Sequence, residues 1–273
     1  MSFAPVLPLS GYSGWAFLQR TQASQQAALN RSPQIARDED YFRAKIGAVK
    51  TVNDLVGDRR LLRVALGAFG LEADLDSRAF IRKVLSDGTL KEGALSSRLA
   101  DKQYEKLASA FGFGDFSVPN TVMSDFPDRI LNQYRARQFE VAVGAQNNDF
   151  RLALSAKREL ADLGGSSSSE TTRWFKILGS APLRTVFQKA LGLPPSISGI
   201  DLDKQLEAFR TRAKTVFGTD SVSQFSDPAK VETLVRRFLV RSEAESLSGQ
   251  IGPGAVAMQM LQQTSANLRS YRR

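Results

Sequence analysis

The sequence predicts an all-α, multihelical fold that contains two copies of a roughly three-helix repeat together with additional helices. Three observations lead to this prediction. Apolar residues recur at helical spacing, breaks that contain glycine or proline separate the helical segments, and one capped helical stretch occurs twice. No strand is clearly indicated, since residues 113–122 carry loop-forming residues at most positions.

The repeated stretch covers residues 56–71, VGDRRLLRVALGAFGL, and residues 178–193, LGSAPLRTVFQKALGL, which align without a gap. The predicted N-caps are Asp58 and Ser180, and the glycines predicted to end the two helices are Gly70 and Gly192. The predicted inward-facing stripes are Leu61, Val64, Ala65, Ala68 and Phe69 in the first copy and Leu183, Val186, Phe187, Ala190 and Leu191 in the second.

Two helices could share this pattern by chance, because part of it is common to all capped helices. Further matches in the same order favour a duplication. They are Ala110-Phe111-Gly112 with Val216-Phe217-Gly218, Ser124-Asp125 with Ser226-Asp227, and the pair Tyr134 and Arg137 with the pair Phe238 and Arg241.

Composition shifts and breaks divide the chain into five predicted regions. Gly164 to Ser169, GGSSSS, is the plainest linker and sets the boundary between the copies. The regions are an N-terminal arm with a short helix (1–39), the first repeat with an inserted helix and a long connecting helix (40–163), the linker (164–169), the second repeat (170–250) and a C-terminal helical tail (251–273).

In the N-terminal region, we predict an extended arm over residues 1–14 and a helix from Trp15 to about Leu29. The second half of that helix has few apolar residues. It is therefore either mobile until a partner binds it, or packed on the body of the protein through Trp15, Phe17 and Leu18.

Three consecutive acids, Asp38, Glu39 and Asp40, precede a helix predicted from about Asp40 to Leu55. Such a run could bind a metal, but carboxylates at the start of a helix also complement its positive N-terminal dipole. The second interpretation is favoured.

Downstream, we predict an inserted helix over residues 77–85, and residues 128–163 form either one long helix or two that are broken near residues 144–149.

The composition excludes several kinds of chemistry. The 273 residues include no cysteine, which excludes disulfides and thiolates, and no histidine, which excludes the commonest general base and transition-metal ligand. Phosphate-loop and nucleophile-elbow motifs are absent. Asp201 and Asp203 are predicted to open a helix rather than to hold a cation. We therefore expect no enzymatic activity, no cofactor and no metal site.

The chain has a formal net charge of +9, which is compatible with a nucleic-acid or anionic-lipid partner. The arginines are dispersed, however, and no run of five like charges occurs. Arg59, Arg60 and Arg63 could form a basic patch, although a solvated face or pairing within the helix is favoured. No segment is apolar over the length of a membrane span, and no secretory signal is visible, so a cytoplasmic location is expected.

The C-terminal tail has a weak coiled-coil-like stripe whose members are spaced by 4, 3, 4 and 3 residues. The stripe consists of Ala257, Leu261, Thr264, Leu268 and Tyr271.

Several stretches together resemble the alphaproteobacterial domain-of-unknown-function family 1217, over about residues 10–250. They are Ser32-Pro33, Arg37-Asp38, residues 40–43 (DYFR), Asp54-Leu55, residues 58–71, residues 80–85 (FIRKVL), residues 138–140 (QFE) and residues 151–154 (RLAL). The resemblance implies an all-helical fold and, through the genes that accompany family members, an association with the flagellum. It carries over no catalytic residues.

Two functional hypotheses follow. The first is a non-enzymatic, flagellum-associated accessory or assembly protein that binds a protein partner through helical surfaces, with export by a flagellar route as an alternative to a cytoplasmic location. The second, ranked below it, is a basic helical nucleic-acid-binding protein. The candidate partner-binding residues are Arg59, Arg60, Arg63, Leu261, Leu268 and Tyr271.

Overall fold

A computed structural model describes residues 3–251, and within that range the protein is all-α, as predicted. Thirteen α-helices and five short 3-10 turns account for the regular structure of this range. The helices are α1 (Gly11–Asn30), α2 (Pro33–Lys45), α3 (Val52–Gly57), α4 (Arg59–Phe69), α5 (Arg78–Asp87), α6 (Leu95–Arg98), α7 (Gln103–Phe111), α8 (Phe126–Gly144), α9 (Asn148–Gly164), α10 (Glu170–Gly179), α11 (Ala181–Leu191), α12 (Leu202–Phe217) and α13 (Pro228–Ile251).

Helix α4 begins and ends where the sequence predicts. The Asp58 carboxylate accepts hydrogen bonds from the backbone N–H groups of Arg60 (2.9 Å) and Leu61 (3.1 Å). At the other end Gly70 has φ +73°, and the N–H of Leu71 bonds back to the carbonyl of Leu66 at 2.9 Å. This is a Schellman motif, which satisfies carbonyls that the helix end would otherwise leave unpaired.

Helix α11 has the same local geometry. The backbone angles of Ser180 (φ −93°, ψ 110°) are close to those of Asp58 (φ −96°, ψ 103°). Each of these residues is the C-cap of one helix and the N-cap of the next. Gly192 has φ +69°, and the Leu193 N–H bonds to the Gln188 carbonyl at 2.9 Å. The predicted inward stripes of α4 and α11 are all buried. The duplication of the whole repeat stays a prediction.

One continuous hydrophobic cluster runs through both halves of the described chain. Helix α4 packs on α8 and α11 packs on α13, while α9 contacts α8, α11 and α13 and so lies between the two pairs. At the predicted linker, a Cβ added to Gly164 would lie 2.6 Å from the backbone nitrogen of Ser226, and Ser169 caps α10. The domain boundaries stay predictions.

The N-terminal region differs from the prediction in two ways. The helix begins at Gly11 rather than Trp15, so residues 11–14 are helical and not part of an extended arm. The alternative of packing on the body is the one observed, since Trp15 and Leu18 are fully buried. The Trp15 indole N–H donates to the Glu232 carboxylate at 3.1 Å, which ties α1 to α13.

The predicted helix from Asp40 to Leu55 is wrong. Helix α2 ends at Lys45, a 3-10 turn follows, and Thr51 starts α3 with a capping box to Asp54. The three acids consequently lie in the middle of α2 instead of at a helix start, so the dipole explanation for them is also wrong. Of the two alternatives for residues 128–163, two helices are observed. Helix α8 ends at Gly144, and Asn147 caps the start of α9.

We predict that Asp58→Ala lowers the free energy of unfolding by roughly 1–2 kcal/mol at pH 7, because two backbone N–H groups and the Tyr41 hydroxyl (2.7 Å) lose their acceptor. Urea denaturation measures this loss. Burial by itself raises the pKa of Asp58, but hydrogen bonds from Tyr41, Leu61 and Arg60 outweigh it and hold the pKa below its usual value. The carboxylate therefore stabilises the fold above about pH 4, and the loss should shrink as the pH falls through that range.

The matched control is Asp125→Ala, because Asp125 also precedes a helix but its side chain makes no capping hydrogen bond. Its effect should stay below about 0.5 kcal/mol. Equal losses in the two variants would contradict the role assigned to the Asp58 cap.

Candidate functional site

The predicted basic patch lies on the surface at the start of α4, but its arginines are paired with acids on other elements. Arg60 Nε lies 3.7 Å from Asp38 Oδ1, and Arg63 Nη1 lies 3.5 Å from Asp38 Oδ2. Arg59 forms an ion pair with Asp76. The pairing is between elements and not within the helix. The role of these three arginines in binding a partner stays a prediction. Asp38 and Asp76 neutralise much of their positive charge.

Two of the three acids of α2, Asp38 and Glu39, have a structural explanation that local sequence patterns did not provide. The Asp38 side chain is only 3% exposed between Arg60 and Arg63. Glu39 accepts from Arg135 Nε of α8 at 2.7 Å. Carboxylates buried this deeply need charged partners, and these two fasten α2 to α4 and α8.

A buried ion cluster, formed by Arg137, Glu140, Arg158 and Glu159, joins α8 to α9. Arg158 Nε lies 2.7 Å from Glu140 Oε1, and Arg137 Nη1 lies 3.3 Å from Glu140 Oε2. Glu159 is 3.4 Å from Arg158 and also accepts from the Ser180 hydroxyl at 2.9 Å, at the start of α11. Two positive and two negative charges thus balance where three helices meet.

Burial and charge act in opposite directions on the two arginines of the buried ion cluster. Burial by itself lowers the pKa of Arg158, but the hydrogen bond and charge of Glu140, with the charge of Glu159, raise it overall. Burial and the charge of Arg158 lower the pKa of Arg137. The Nε of Arg137 is buried and has no hydrogen-bond partner among the described residues. This arrangement holds α8, α9 and the start of α11 together.

A second surface, which we call the apolar loop, consists of residues 113–123 between α7 and α8. Phe116, Val118, Val122 and Met123 are 53%, 59%, 45% and 47% exposed. Leu90 is 73% exposed, and its backbone N–H donates to the Asp115 carboxylate of the loop at 2.9 Å. The sequence predicted a loop here, but it did not predict that the loop displays large apolar side chains.

Hydrogen bonds fix the apolar loop to the body of the protein. Asp115 accepts from the Thr89 N–H at 2.6 Å and from the Thr89 hydroxyl at 2.8 Å. The Asn120 amide donates to the Ala110 carbonyl at 3.0 Å, and the Thr121 hydroxyl donates to the Val49 carbonyl at 2.6 Å. The apolar side chains are therefore presented on an ordered backbone.

Within residues 3–251, no three histidine, cysteine or acidic side chains are grouped so that they could hold a metal ion. No helix of the same range has both the length and the apolar character that crossing a membrane requires. The predicted partner-binding residues Leu261, Leu268 and Tyr271 lie outside the described residues.

Comparison with known proteins identifies the family. The sequence profile of the family described as "Protein of unknown function (DUF1217)" matches residues 68–231. The chain belongs to this family. Its fold is similar to the crystal structure of an Agrobacterium tumefaciens protein, with 26% identity and a TM-score of 0.72, over 89% of this chain and 99% of that one. No curated protein gives a significant match.

The likeness to the Agrobacterium protein covers 89% of this chain, so the shared fold extends well beyond residues 68–231, which the family profile matches. The buried ion cluster and the apolar loop both lie inside the matched residues 68–231. The family match therefore includes the buried ion cluster and the apolar loop. The family description names no activity.

Close to the buried ion cluster, Glu72 carries an unfavourable charge. Burial raises the pKa of Glu72, and the charge of Arg137 and a hydrogen bond from Gln138 (3.1 Å) offset this only in part. A carboxyl whose pKa is raised on folding destabilises the protein as the pH rises from its unfolded value, about 4.3, through its folded value.

We therefore predict that Glu72→Gln raises the thermal midpoint at pH 7, because the amide cannot ionise and its oxygen can still accept from Gln138. The gain should vanish below about pH 4, where Glu72 is protonated in both states. Scanning calorimetry between pH 3.5 and 7.5 measures it. Glu207→Gln, at an exposed position of α12, is the control. A gain that is constant across this range would show that the charge of Glu72 is not its source.

Proposed function

We propose that the protein is a non-enzymatic, flagellum-associated accessory or assembly protein that binds a protein partner through the apolar loop. The exposure of Leu90, Phe116, Val118, Val122 and Met123 is the observation that supports it best. Large exposed apolar patches are uncommon on proteins without a partner, and burying the exposed part of each of these side chains would contribute about 1 kcal/mol. The flagellar part of the proposal comes from the family resemblance.

The fixed backbone of the loop supports binding in a second way. A partner that docks on a preformed surface does not have to order the loop, so less of the interaction energy is lost on association. An amphipathic helix fits such a surface, because its apolar face can cover side chains spread over eight residues of chain. We therefore propose a helical segment of a protein as the partner.

The nucleic-acid alternative has less support than a protein partner. It relied on the net charge and on Arg59, Arg60 and Arg63, and these three are paired with Asp38 or Asp76. Ion pairs of this kind reduce the charge available to phosphates. The proposed location is the cytoplasm, with export by a flagellar route as the alternative.

We predict that the triple variant Phe116→Ser, Val118→Ser, Met123→Ser fails to restore flagellar assembly in a strain that lacks the gene. Loss of three apolar contacts should weaken partner binding by at least about tenfold, since central interface residues each contribute about 1–2 kcal/mol or more. Swimming speed and filament number and length by electron microscopy are the measurements. The level and circular dichroism of the variant show whether it is folded.

The matched control is Val141→Ser, Ile200→Ser, Leu202→Ser, which removes three apolar side chains of similar exposure outside the apolar loop. It should restore assembly like the wild type. If the strain without the gene swims and builds filaments normally, the flagellar part of the proposal is wrong. If the loop variant restores assembly fully, the assignment of the surface is wrong.

A further inference from the structure

Three arginines converge on the C-terminal end of α11. Arg237 Nε donates to the Ala190 carbonyl at 3.2 Å, and Arg212 Nε donates to the Leu191 carbonyl at 3.0 Å. The guanidinium of Arg241 lies against Gly192, where an added Cβ would be 2.6 Å from Arg241 Nη1. Three guanidinium groups from α12 and α13 therefore surround three consecutive residues.

These charges have no carboxylate partner in the described part of the chain. None of the three arginines lies within 4.0 Å of an acidic oxygen there. Two acids that contact neighbouring residues have other partners, since Asp149 accepts from the Ser242 hydroxyl at 2.5 Å and Glu245 pairs with Lys189 at 3.2 Å. Residues 1–2 and 249–273 contain no Asp or Glu and supply no side-chain carboxylate.

A helix dipole does not balance this charge. The C-terminal end of a helix is equivalent to about half a negative charge, whereas three guanidinium groups carry three positive charges. Burial, together with the charges of Arg241 and Arg212, lowers the pKa of Arg237. Each guanidinium has five N–H donors, and the two bonds to α11 use one each.

The corresponding end of α4 is compensated. There the guanidinium of Arg137 lies 3.3 Å from a Cβ added to Gly70, in the place that Arg241 takes beside Gly192. Arg137 is paired with Glu140 at 3.3 Å, inside the balanced buried ion cluster. The two helix ends thus share a glycine and an arginine but differ in the acids that neutralise the arginine.

We propose that Arg212, Arg237 and Arg241 form a binding site for a phosphate group, either as the free anion or as a phosphate monoester on a partner. A phosphate carries up to two negative charges and at least three acceptor oxygens, which suits three guanidinium groups better than the single charge and two oxygens of a carboxylate does. The three groups contact or lie beside three consecutive residues at one helix end, so they fit one phosphate better than the extended backbone of a nucleic acid.

The test uses the full chain and its thermal midpoint in inorganic phosphate, in O-phosphoserine and in acetate, each against chloride at equal ionic strength. Phosphate also stabilises proteins by exclusion from their surface, so the readout is the difference between the wild type and Arg241→Gln. The Arg241 side chain makes no hydrogen bond to the described part of the chain, so this variant should fold. We expect a saturable rise in the wild type and at least a tenfold weaker apparent affinity in the variant.

The triple variant Arg212→Gln, Arg237→Gln, Arg241→Gln should lose the effect. Arg20→Gln, Arg31→Gln, Arg82→Gln, which removes the same charge from three exposed and dispersed positions, should keep it. Saturation with inorganic phosphate indicates a free anion, and saturation with O-phosphoserine alone indicates a monoester. The proposal is overturned if Arg241→Gln responds as the wild type does, if acetate acts as well as phosphate, or if a single-stranded oligonucleotide binds through these arginines more tightly than either phosphate.

Discussion

The buried ion cluster is the constraint on which the arrangement of the helices depends. Arg137 and Glu140 come from α8, Arg158 and Glu159 come from α9, and Ser180 links the cluster to the start of α11. Charges in a site of low polarity tolerate little change in geometry, because removing one partner from a buried pair costs about 3–5 kcal/mol. The crossing of α8 and α9 is therefore fixed by electrostatics as well as by apolar packing. Since α9 also contacts α11 and α13, this crossing orients the second half of the molecule against the first.

The difference between local and long-range contacts explains why sequence patterns predicted some elements accurately and others poorly. Helices α4 and α11 depend on residues within their own turns, namely a cap, an apolar stripe and a glycine with positive φ. Local rules of this kind can be applied to a sequence directly. Asp38 and Glu39 depend on Arg63 and Arg135, which are 25 and 96 residues away, so no local rule identifies their partners. The incorrect helix boundary near Asp40 followed from treating those acids as local features.

The candidate surfaces were predictable to different degrees for related reasons. The loop character of residues 113–123 followed from their composition, but the exposure of Phe116 and Met123 depends on where α7, α8 and the Thr89 backbone hold the loop. The pairing of Arg241 with the preceding aromatic Phe238 was visible as a repeated spacing. The sequence did not predict that Arg212 and Arg237 join Arg241 at the end of α11. These arginines come from two helices and are brought together only by the tertiary fold.

The packing of α1 argues for binding through preformed surfaces over binding through an N-terminal arm. A partner that captured residues 15–29 would have to expose Trp15 and Leu18, which are fully buried, and to break the bond between Trp15 and Glu232. Exposing two large apolar side chains costs roughly 3–6 kcal/mol before any contact with the partner forms. The apolar loop imposes no such cost, because its side chains are already exposed on a backbone held by Asp115, Asn120 and Thr121. Within the described chain, binding a partner at the apolar loop therefore costs less free energy than binding one at α1.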